Sequence, residues 1–451
     1  MQGVTPAEAS APRPPGPAGL PGLGNALQLA RAPLAFPERC VRTYGDVVGF
    51  RFAGQSAVLL GHPDGVKHVL AEHPERYWKG AYFNRQLELL GDGLFAADGP
   101  LWHRQRRLMQ PIFHPNAVAS YGADMVEATQ RVVEGWRPGE PTRVDEAMMR
   151  LALGNVANAL FNVDVLDEVP GIARAIDDVM GNFRRSRRLP VSLPPWLPTP
   201  GRRRYDRAVA TFDAIVEDVV ASHREADEPP DDVVSLLLAA TDEAGRGMSD
   251  AQIRDEVLTL LLAGHDTTGL GLTYTWHALA THPEVDARLA AELDAVLGGR
   301  PPTVGDLDDL PYLSRVLKET LRLYPPVYFF VREPYEDDVV GGYRVPAGSL
   351  VLVYQWLLHR DPRFFDDPES FDPDRWTGAF ERELHPFAYL PFGGGPRRCI
   401  GEGLATMELE LVVATIAQRY RLTYAGDPPL SFDPMMSLRP DGPVTMVPRP
   451  R

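Results

Sequence analysis

Residues 392–401 read Phe-Gly-Gly-Gly-Pro-Arg-Arg-Cys-Ile-Gly, and an apolar helical pattern continues from Glu402 to about Tyr420. Three consecutive glycines and a proline allow the backbone to turn tightly and to approach a flat object that side chains would keep away. Cys399 stands just before the predicted helix. The unpaired backbone N–H groups and the dipole at a helix N-terminus favour the thiolate form of such a cysteine.

The ligand chemistry of a single cysteine limits what this turn can hold. A free thiol has a pKa of about 8.5, so a metal or a helix N-terminus must hold the thiolate at neutral pH. Zinc and iron–sulfur sites need several protein ligands, whereas a haem iron takes one axial thiolate. The turn therefore favours haem. A buried structural cysteine in a glycine-rich turn is the alternative.

Phe392, Gly395, Arg397, Cys399 and Gly401 resemble the haem-binding loop of the cytochrome P450 family, whose consensus is Phe-x-x-Gly-x-Arg-x-Cys-x-Gly. The resemblance implies a mainly α-helical fold with a small β region, in a single large domain around haem b (iron protoporphyrin IX). It also implies that Cys399 is the proximal iron ligand, whose electron donation favours cleavage of the O–O bond.

Composition and charge narrow the class of protein. The 451 residues are 44% hydrophobic, which is enough for a large core, and the formal net charge of −15 argues against general nucleic-acid binding. The chain contains only two cysteines, Cys40 and Cys399. No disulfide framework is therefore predicted, and a location in the reducing cytoplasm is expected.

The N-terminal segment, residues 1–24, carries six prolines with interspersed glycines and is predicted to be extended or disordered. The haem domain would then cover residues 25–451. No stretch has the order of a signal peptide. Residues 14–25 resemble the proline hinge that follows the membrane anchor in eukaryotic members of the family, and nothing hydrophobic precedes them here. The resemblance therefore implies a soluble, bacterial-type protein without an integral membrane segment. The most apolar long window, Val257 to Ala280, contains His265 and Asp266, which are costly in a bilayer. It is predicted to be a buried helix.

This central helix is predicted to begin with a capping box made by Ser249 and Gln252. Residues 263–269, Ala-Gly-His-Asp-Thr-Thr-Gly, are poor helix formers, and Thr267 can bond back to a carbonyl one turn earlier, which would open a groove. They resemble the oxygen-activation motif of P450s. The resemblance implies that Thr267 stabilises bound dioxygen, that Asp266 relays protons and that Ala263 contacts the haem. A kinked helix with capped polar groups is the alternative.

Glu319 and Arg322 share one face of a helix predicted over residues 311–324. Such a pair is often a surface contact worth less than about 1 kcal/mol. The resemblance instead matches them to the Glu-x-x-Arg motif of the family, with Arg375 of a Phe-x-Pro-x-Arg segment as the third member. It implies a buried charge cluster that braces the cysteine loop, which is a structural role.

Haem propionates need cations, and arginine suits them because its planar fork pairs with both carboxylate oxygens. The resemblance offers Trp102 and Arg106 from a Trp-x-x-x-Arg helix, Arg332 after a strand predicted over Val327–Val331, and Arg397. An ordinary surface arginine is the alternative at each position.

Electrons must come from outside the chain, because the sequence shows no flavin or iron–sulfur module. The resemblance implies a ferredoxin or a flavodoxin with its reductase. Arg104, Arg107 and Arg398 are predicted to form a basic patch that attracts an acidic donor. The arginine-rich Arg184–Arg204 segment is predicted to connect two helices over a pocket entrance, with its arginines in solvent rather than on a membrane.

The substrate-facing segments of the family map onto apolar and aromatic residues, as expected for a lipophilic substrate that is oriented mainly by shape. These residues are Phe83, Phe95, Leu260, Val327, Phe329, Phe330, Met435 and Met436. Core packing is the alternative for each. Residues 53–58 lack the Arg and Tyr with which bacterial fatty-acid hydroxylases of the family hold a carboxylate. A terpenoid or another apolar natural product is therefore favoured over a fatty acid.

The residues and the resemblance together predict a monooxygenase that inserts one atom of O2 into a C–H or C=C bond. A peroxide-driven peroxygenase is the first alternative, but members of that branch typically replace the acid–alcohol pair, which is intact here. A non-catalytic haem sensor is the second alternative. It would need the Cys399 loop but would have no use for Asp266 and Thr267.

Overall fold

The computed structural model describes residues 11–80, 88–161, 175, 178–179, 199–228, 230, 232–426, 430–434 and 436–451. Two predicted pocket residues, Phe83 and Met435, lie outside these ranges, and so do residues 184–198 of the arginine-rich segment. The structure is 55% helical with small sheets, so the predicted mainly α fold class is confirmed.

The helices of the described residues are α1 (Ala26–Arg31), α2 (Ala35–Tyr44), α3 (Pro63–Lys67), α4 (Gly99–Met109), α5 (Pro115–Ser120), α6 (Gly122–Glu134), α7 (Val144–Phe161), α8 (Pro200–Glu225), α9 (Val233–Ala239), α10 (Asp250–Thr281), α11 (Pro283–Leu297), α12 (Pro311–Leu323), α13 (Gln355–Leu358), α14 (Gly378–Glu383) and α15 (Glu402–Ala417). The strands are β1 (Val47–Phe52), β2 (Gln55–Leu60), β3 (Tyr77–Trp78), β4 (Thr142–Arg143), β5 (Phe330–Pro334), β6 (Asp338–Val340), β7 (Tyr343–Val345), β8 (Leu350–Val353), β9 (Tyr420–Tyr424), β10 (Phe432–Pro434), β11 (Leu438–Pro440) and β12 (Thr445–Pro450).

The chain divides into two compact units, and the first consists of the described residues of Met1–Leu87, Arg322–Ser370 and Arg375–Cys399. Its main sheet has the strand order β1-β2-β8-β5-β3. Strands β2 and β8 run parallel, and the other neighbouring pairs run antiparallel. One face of the sheet packs on an apolar cluster that includes Leu60, Leu70, Val353 and Leu390. Because Leu390 lies just before the cysteine loop, its packing in this cluster anchors the N-terminal end of the loop.

The proline-rich N-terminal segment lies along this first unit. The Gly49 N–H of β1 donates to Pro15 O at 2.8 Å, and the Arg344 N–H of β7 donates to Pro12 O at 2.9 Å. The backbone at Gly16 is so close that a Cβ there would lie 1.7 Å from Gly49 O. The described part of the segment is therefore hydrogen-bonded to strands. The boundary at residue 25 stays a prediction.

The second unit consists of the described residues of Glu88–Leu321, Phe371–Asp374 and Ile400–Arg451. Its centre is α10, which packs along α7 and against α15. Glycines permit this close packing, because a Cβ at Gly269 would lie 2.6 Å from Met149 Sδ. A three-stranded sheet of order β4-β12-β9 and the hairpin β10–β11 complete the unit.

Two predicted helix boundaries can be compared with the structure. The capping box of α10 is confirmed, since Ser249 Oγ accepts from the Gln252 N–H at 3.3 Å and Gln252 Oε1 accepts from the Ser249 N–H at 3.0 Å. The helix after the cysteine loop ends at Ala417 rather than near Tyr420. Tyr420 instead begins β9, because it pairs with Pro450 of β12.

A buried acid joins α15 to α7. Glu408 is 4% exposed, and its Oε1 accepts a hydrogen bond from Asn155 Nδ2 at 2.9 Å. Burial raises the pKa of Glu408 to about 8, and the bond from Asn155 offsets only part of this effect. The folded protein therefore holds Glu408 in its neutral form at neutral pH.

We expect Glu408→Gln to reduce the loss of stability that accompanies a rise from about pH 5 to about pH 8. An unfolded glutamate has a pKa of about 4.3, so in this window the unfolded wild type has released a proton that the folded protein keeps. The wild type should therefore lose on the order of 3–4 kcal/mol relative to the variant as the pH rises. Urea unfolding at both pH values measures the difference. The exposed Glu127→Gln is the control, and equal pH slopes in wild type and Glu408→Gln would contradict the expectation.

Candidate active site

The cysteine loop, residues 392–399, is closed by a backbone hydrogen bond from the Cys399 N–H to Phe392 O at 2.9 Å. Gly395–Arg397 form one 3₁₀ turn inside it. Gly393 and Gly395 adopt φ angles of +73° and +68°, in the left-handed region that favours glycine. Cys399 is exposed, and neither it nor the buried Cys40 forms a disulfide in the described chain. The loop thus presents a thiol on a backbone that glycines shape.

Contacts within the first unit fix the base of this loop. The Leu390 N–H donates to His359 Nε2 at 2.8 Å, and Gln355 Nε2 donates to Leu390 O. A Cβ at Gly395 would lie 1.8 Å from Leu70 O, so the loop passes directly against the His68–Glu72 turn. The three contacts leave the loop little room to move.

The predicted bracing residues all bind backbone groups. The guanidinium of Arg322 is fully buried and donates to His359 O at 2.8 Å, Pro368 O at 2.6 Å and Ser370 O at 2.9 Å. Arg375 donates to Asp366 O at 2.8 Å and also reaches Ser370 O at 3.4 Å. In the second unit, Glu319 Oε1 accepts from the Asp372 N–H at 2.9 Å. The bracing role of the three residues stays a prediction that these bonds favour.

The central helix α10 has one accessible face in its middle. Most of its residues from Ile253 to Leu279 are buried, yet Ala263 is exposed, and Leu260, Gly264 and Thr267 are partly accessible. Their spacing of three, four and seven residues places them on one side of the helix. The Thr267 hydroxyl donates to Ala263 O at 2.7 Å, which is the back-bond that the sequence predicted. The second unit therefore leaves an open groove surface at the predicted oxygen-activation residues.

Asp266, the neighbour of Thr267, forms an ion pair with Arg439 of β11. The side chains are 7% and 17% exposed, respectively. The Tyr274 hydroxyl donates to Leu438 O, so the hairpin β10–β11 is fastened to α10 at two points. No local pattern indicates this partner of Asp266, because the two residues are 173 positions apart and the pairing depends on the fold.

The predicted haem contacts are distributed over both units. In the first unit, Phe392, Arg397 and Arg332 are partly buried, and Arg332 donates to Val331 O at 2.9 Å. In the second unit, α4 carries the buried Trp102 and the partly buried Arg106. Gly401 is the N-cap residue of α15.

The donor chemistry of these residues fits a haem. No group of three or more His, Cys, Asp and Glu side chains that could hold a metal ion occurs in the described ranges, which leaves a single exposed thiolate donor at Cys399. The loop that carries Cys399 has no space for a Cβ at Gly395, and α10 leaves the small side chain of Ala263 exposed. Within the first unit, a cysteine and an arginine, Cys399 and Arg397, lie on one glycine-shaped loop, and these two residue types suit the iron and the propionates of a haem.

The described pocket residues differ in their contacts. In the second unit, Phe95 is 38% exposed, and Leu260 and Met436 are partly buried. In the first unit, Val327 is also partly buried, whereas Phe329 stacks on Tyr354 with ring centroids 5.3 Å apart. Phe330 packs against the apolar cluster of that unit, which favours a core role for this residue.

Two arginines of the predicted electron-donor patch have acidic partners. Arg104 donates to Asp242 Oδ2 at 2.9 Å and to the carbonyls of Arg246 and Gly247, and Arg107 donates to Glu243 Oε1 at 2.6 Å. The hydrogen bond from Arg104 and two backbone N–H groups lower the pKa of Asp242 well below its usual range, against the opposing effect of desolvation. These pairs connect α4 to the loop before α10. Because the charge of Arg104 is compensated by Asp242, this arginine would contribute little to the attraction of an acidic partner protein.

Three consecutive residues of α10 hold the segment from Leu89 to Leu94, and the sequence analysis missed them. Arg254 donates to Leu89 O at 2.7 Å, the Asp92 N–H donates to Asp255 Oδ2 at 2.8 Å, and the Leu94 N–H donates to Glu256 Oε2 at 2.9 Å. Burial raises the pKa of Glu256 to about 8. Gly91 and Gly93 were the residues in the sequence that could have indicated this close contact, since a Cβ at either position would collide with α10.

The chain matches the sequence model of the cytochrome P450 family over residues 14–447. It is a cytochrome P450. Among known relatives, the cyclooctat-9-en-7-ol 5-monooxygenase of Streptomyces melanosporofaciens is 39% identical over 430 residues, which cover 93% of this chain and 93% of that protein. The pentalenene oxygenase of Streptomyces avermitilis is 34% identical over 416 residues and 91% of each chain. The solved structure of retinoic acid-bound cyanobacterial CYP120A1 superposes with a TM-score of 0.89 at 26% identity, over 98% of this P450 and 100% of that chain.

These matches confirm the predicted family, fold and enzyme class. The P450 is a haem-thiolate monooxygenase that uses haem b, O2, an organic substrate and a redox partner. None of the helices in the described ranges is both long and apolar enough to span a bilayer.

Proposed function

We propose that this P450 oxidises a terpenoid at a C–H or C=C bond, with Cys399 as the residue that would hold the haem iron and with Asp266 and Thr267 as the proton-delivering pair. The observation that carries the site assignment is the open middle of α10, where Ala263 and Thr267 are accessible in a helix that is otherwise mostly buried. Cys399 would hold haem b, Trp102, Arg106, Arg332 and Arg397 would bind its propionates, and the haem would supply the reductive activation of O2.

The side chains of α10 would supply the protons. The Thr267 hydroxyl gives its hydrogen to Ala263 O, which leaves the oxygen lone pairs as acceptors on the open face. Asp266 is the next residue along the chain and is 5% exposed. An acid and an alcohol in this order can pass protons from the protein interior to the open face, provided that the two groups come within hydrogen-bond reach.

The named substrates of two relatives and the apolar residues of the proposed pocket support the proposed substrate class. Two relatives that match more than nine-tenths of this chain are named as oxygenases of cyclooctat-9-en-7-ol and pentalenene. The accessible residues Phe95, Leu260 and Met436 are apolar, as a hydrocarbon skeleton requires. Arg51, near the stretch where a carboxylate anchor would lie, instead donates to Gly54 O at 2.6 Å. These features favour a terpenoid over a fatty acid.

We propose a cytoplasmic ferredoxin or flavodoxin with its reductase as the electron source. Of the three arginines in the predicted patch, Arg398 is exposed and Arg107 is 67% exposed, and these two stay candidates for its docking. Arg104 is only 22% exposed and is engaged with Asp242, so it is left out of the proposed contact.

The test is turnover under ¹⁸O2 with ferredoxin, its reductase and reduced nicotinamide, on cyclic terpenes and fatty acids of matched size. The expected result is a terpene product that carries one ¹⁸O atom. Preferential oxidation of the fatty acids would contradict the proposed substrate. Equal turnover on hydrogen peroxide alone, without the redox partner, would contradict the proposed electron source.

We expect Thr267→Ala to lower the product formed per reduced nicotinamide by at least about tenfold, with hydrogen peroxide released instead, because the hydroxyl oxygen that accepts hydrogen bonds on the open face is lost. Thr273→Ala is a matched control. Thr273 makes the same back-bond, to Gly269 O at 2.7 Å, but is fully buried away from the open face. The product formed per reduced nicotinamide is the coupling of the enzyme. Wild-type coupling in Thr267→Ala, or an equal loss of coupling in Thr273→Ala, would rule out the role assigned to Thr267.

A further inference from the structure

We propose that Arg439 is a positioning residue for proton delivery, because it holds the carboxylate of Asp266 from the hairpin β10–β11. The inference rests on the role of Asp266 in the proposed function and adds a residue to which no role has been assigned. Its basis is the ion pair between Arg439 Nη2 and Asp266 Oδ1 in the second unit.

The ion pair between Arg439 and Asp266 can set the orientation of the Asp266 carboxylate. Asp266 is nearly buried, and Arg439 Nε is buried without a hydrogen-bond partner among the described residues, so Asp266 is the group that orients the guanidinium. A buried carboxylate that loses its counter-charge tends to take up a proton or to change its orientation. Either change would impair a group that must both accept and release protons.

The position of Asp266 on the helix makes its orientation important. Successive residues of an α-helix are separated by about 100°, so Asp266 lies at the side of the open face on which Thr267, Ala263 and Leu260 lie. A carboxylate at this edge reaches Thr267 only in some side-chain orientations. Arg439 selects among these orientations, because an ion pair with a guanidinium has a defined geometry.

The hairpin also links this control to the substrate. Arg439 lies on β11, three residues after Met436, which is a proposed pocket residue. The Tyr274 hydroxyl fastens the same strand to α10 at Leu438 O. A substrate that packs against Met436 and holds the hairpin in place would thereby also hold Arg439 in contact with Asp266. Substrates that fit the hairpin poorly are expected to release more hydrogen peroxide per product.

The test is a double-mutant cycle on the haem-loaded enzyme: wild type, Asp266→Asn, Arg439→Gln and the double variant. We expect Arg439→Gln to lower the product per reduced nicotinamide by about five- to tenfold and to leave the value of the Asp266→Asn background unchanged. Arg439→Lys should recover part of the loss, since it restores the charge without the planar fork. Urea unfolding of the same four proteins gives a second readout, in which Arg439→Gln shifts the midpoint less when Asp266→Asn is already present.

Tyr274→Phe separates orientation of Asp266 from simple anchoring of the hairpin. It removes the second fastening point and leaves the ion pair in place, so coupling should stay within about twofold of wild type. A loss in Tyr274→Phe equal to that in Arg439→Gln would overturn the inference, and so would additive losses in the double variant. Wild-type coupling in Arg439→Gln, with Asp266→Asn uncoupled, would overturn the inference alone. Wild-type coupling in Asp266→Asn would remove the proposed role of Asp266 and the inference with it.

Discussion

Gly395→Ala is expected to prevent most of the protein from forming its haem-loaded state, whereas Gly393→Ala should leave most of it intact. Both glycines have left-handed φ angles, +68° and +73°, so both substitutions carry the same backbone strain of about 1–2 kcal/mol. They differ in their surroundings. A Cβ at Gly395 would lie 1.8 Å from Leu70 O and 2.7 Å from Leu70 C, whereas nothing lies within 4 Å of a Cβ at Gly393.

The contact at Gly395 involves backbone, which cannot rotate away as a side chain can. Either the cysteine loop or the His68–Glu72 turn must move, and we expect a total loss of stability on the order of 3 kcal/mol or more. The measurements are the Soret absorbance per protein and the urea midpoint of both variants. Equal haem content in the two variants would show that the close approach of the loop to Leu70 has no consequence for the site.

Arg322→Ala is expected to lower the free energy of unfolding by at least about 4 kcal/mol, enough to leave little soluble enzyme. The substitution would remove the Arg322 donor from the carbonyls of His359, Pro368 and Ser370, of which Ser370 O keeps a second guanidinium donor, Arg375 at 3.4 Å. Each carbonyl left unsatisfied away from water costs about 1–3 kcal/mol, and the loss of the buried Arg322 side chain adds to this. All three carbonyls lie in the chain before the cysteine loop, and His359 also accepts a hydrogen bond from the Leu390 N–H. We therefore expect Arg322→Ala to displace the cysteine loop that carries Cys399 as well as to lower the stability of the fold.

Two further variants make this expectation specific. Arg322→Lys keeps the charge but has no planar fork, so it should fall between wild type and Arg322→Ala. Arg315→Ala, on the same helix, removes a half-exposed arginine whose distance to Asp374 is 3.9 Å, and it should cost less than about 1 kcal/mol. Urea midpoints and soluble yields measure the series. A wild-type midpoint for Arg322→Ala would contradict the bracing role.

Local chemistry made much of α10 predictable. Ser249 and Gln252 form the capping box that their spacing indicates, and Thr267 makes the predicted bond to Ala263 O. Both features depend on residues within one turn of each other, so the sequence contains all the information they need. The cysteine loop was recognisable for the same reason, because its glycines and Cys399 are contiguous.

Features that depend on distant partners were not predictable. The strand expected over Val327–Val331 begins at Phe330 and ends at Pro334, since pairing with β8 and β3 sets its limits. The partner of Asp266 and the acidic partners of Arg104 and Arg107 also come from remote segments. The predicted basic patch for the electron donor did not include these acidic partners. A single sequence holds no local signal for such tertiary pairing.

The absorption spectrum of the reduced enzyme with carbon monoxide tests the central claim, that Cys399 is the thiolate ligand of the haem. Wild type should show the strongly red-shifted Soret band of a thiolate-ligated haem. Cys399→Ser should lose this band, and Cys40→Ala should keep it, because Cys40 is a 3% exposed core residue. A band typical of histidine ligation that Cys399→Ser does not change would contradict the assignment of Cys399 and of the site built around it.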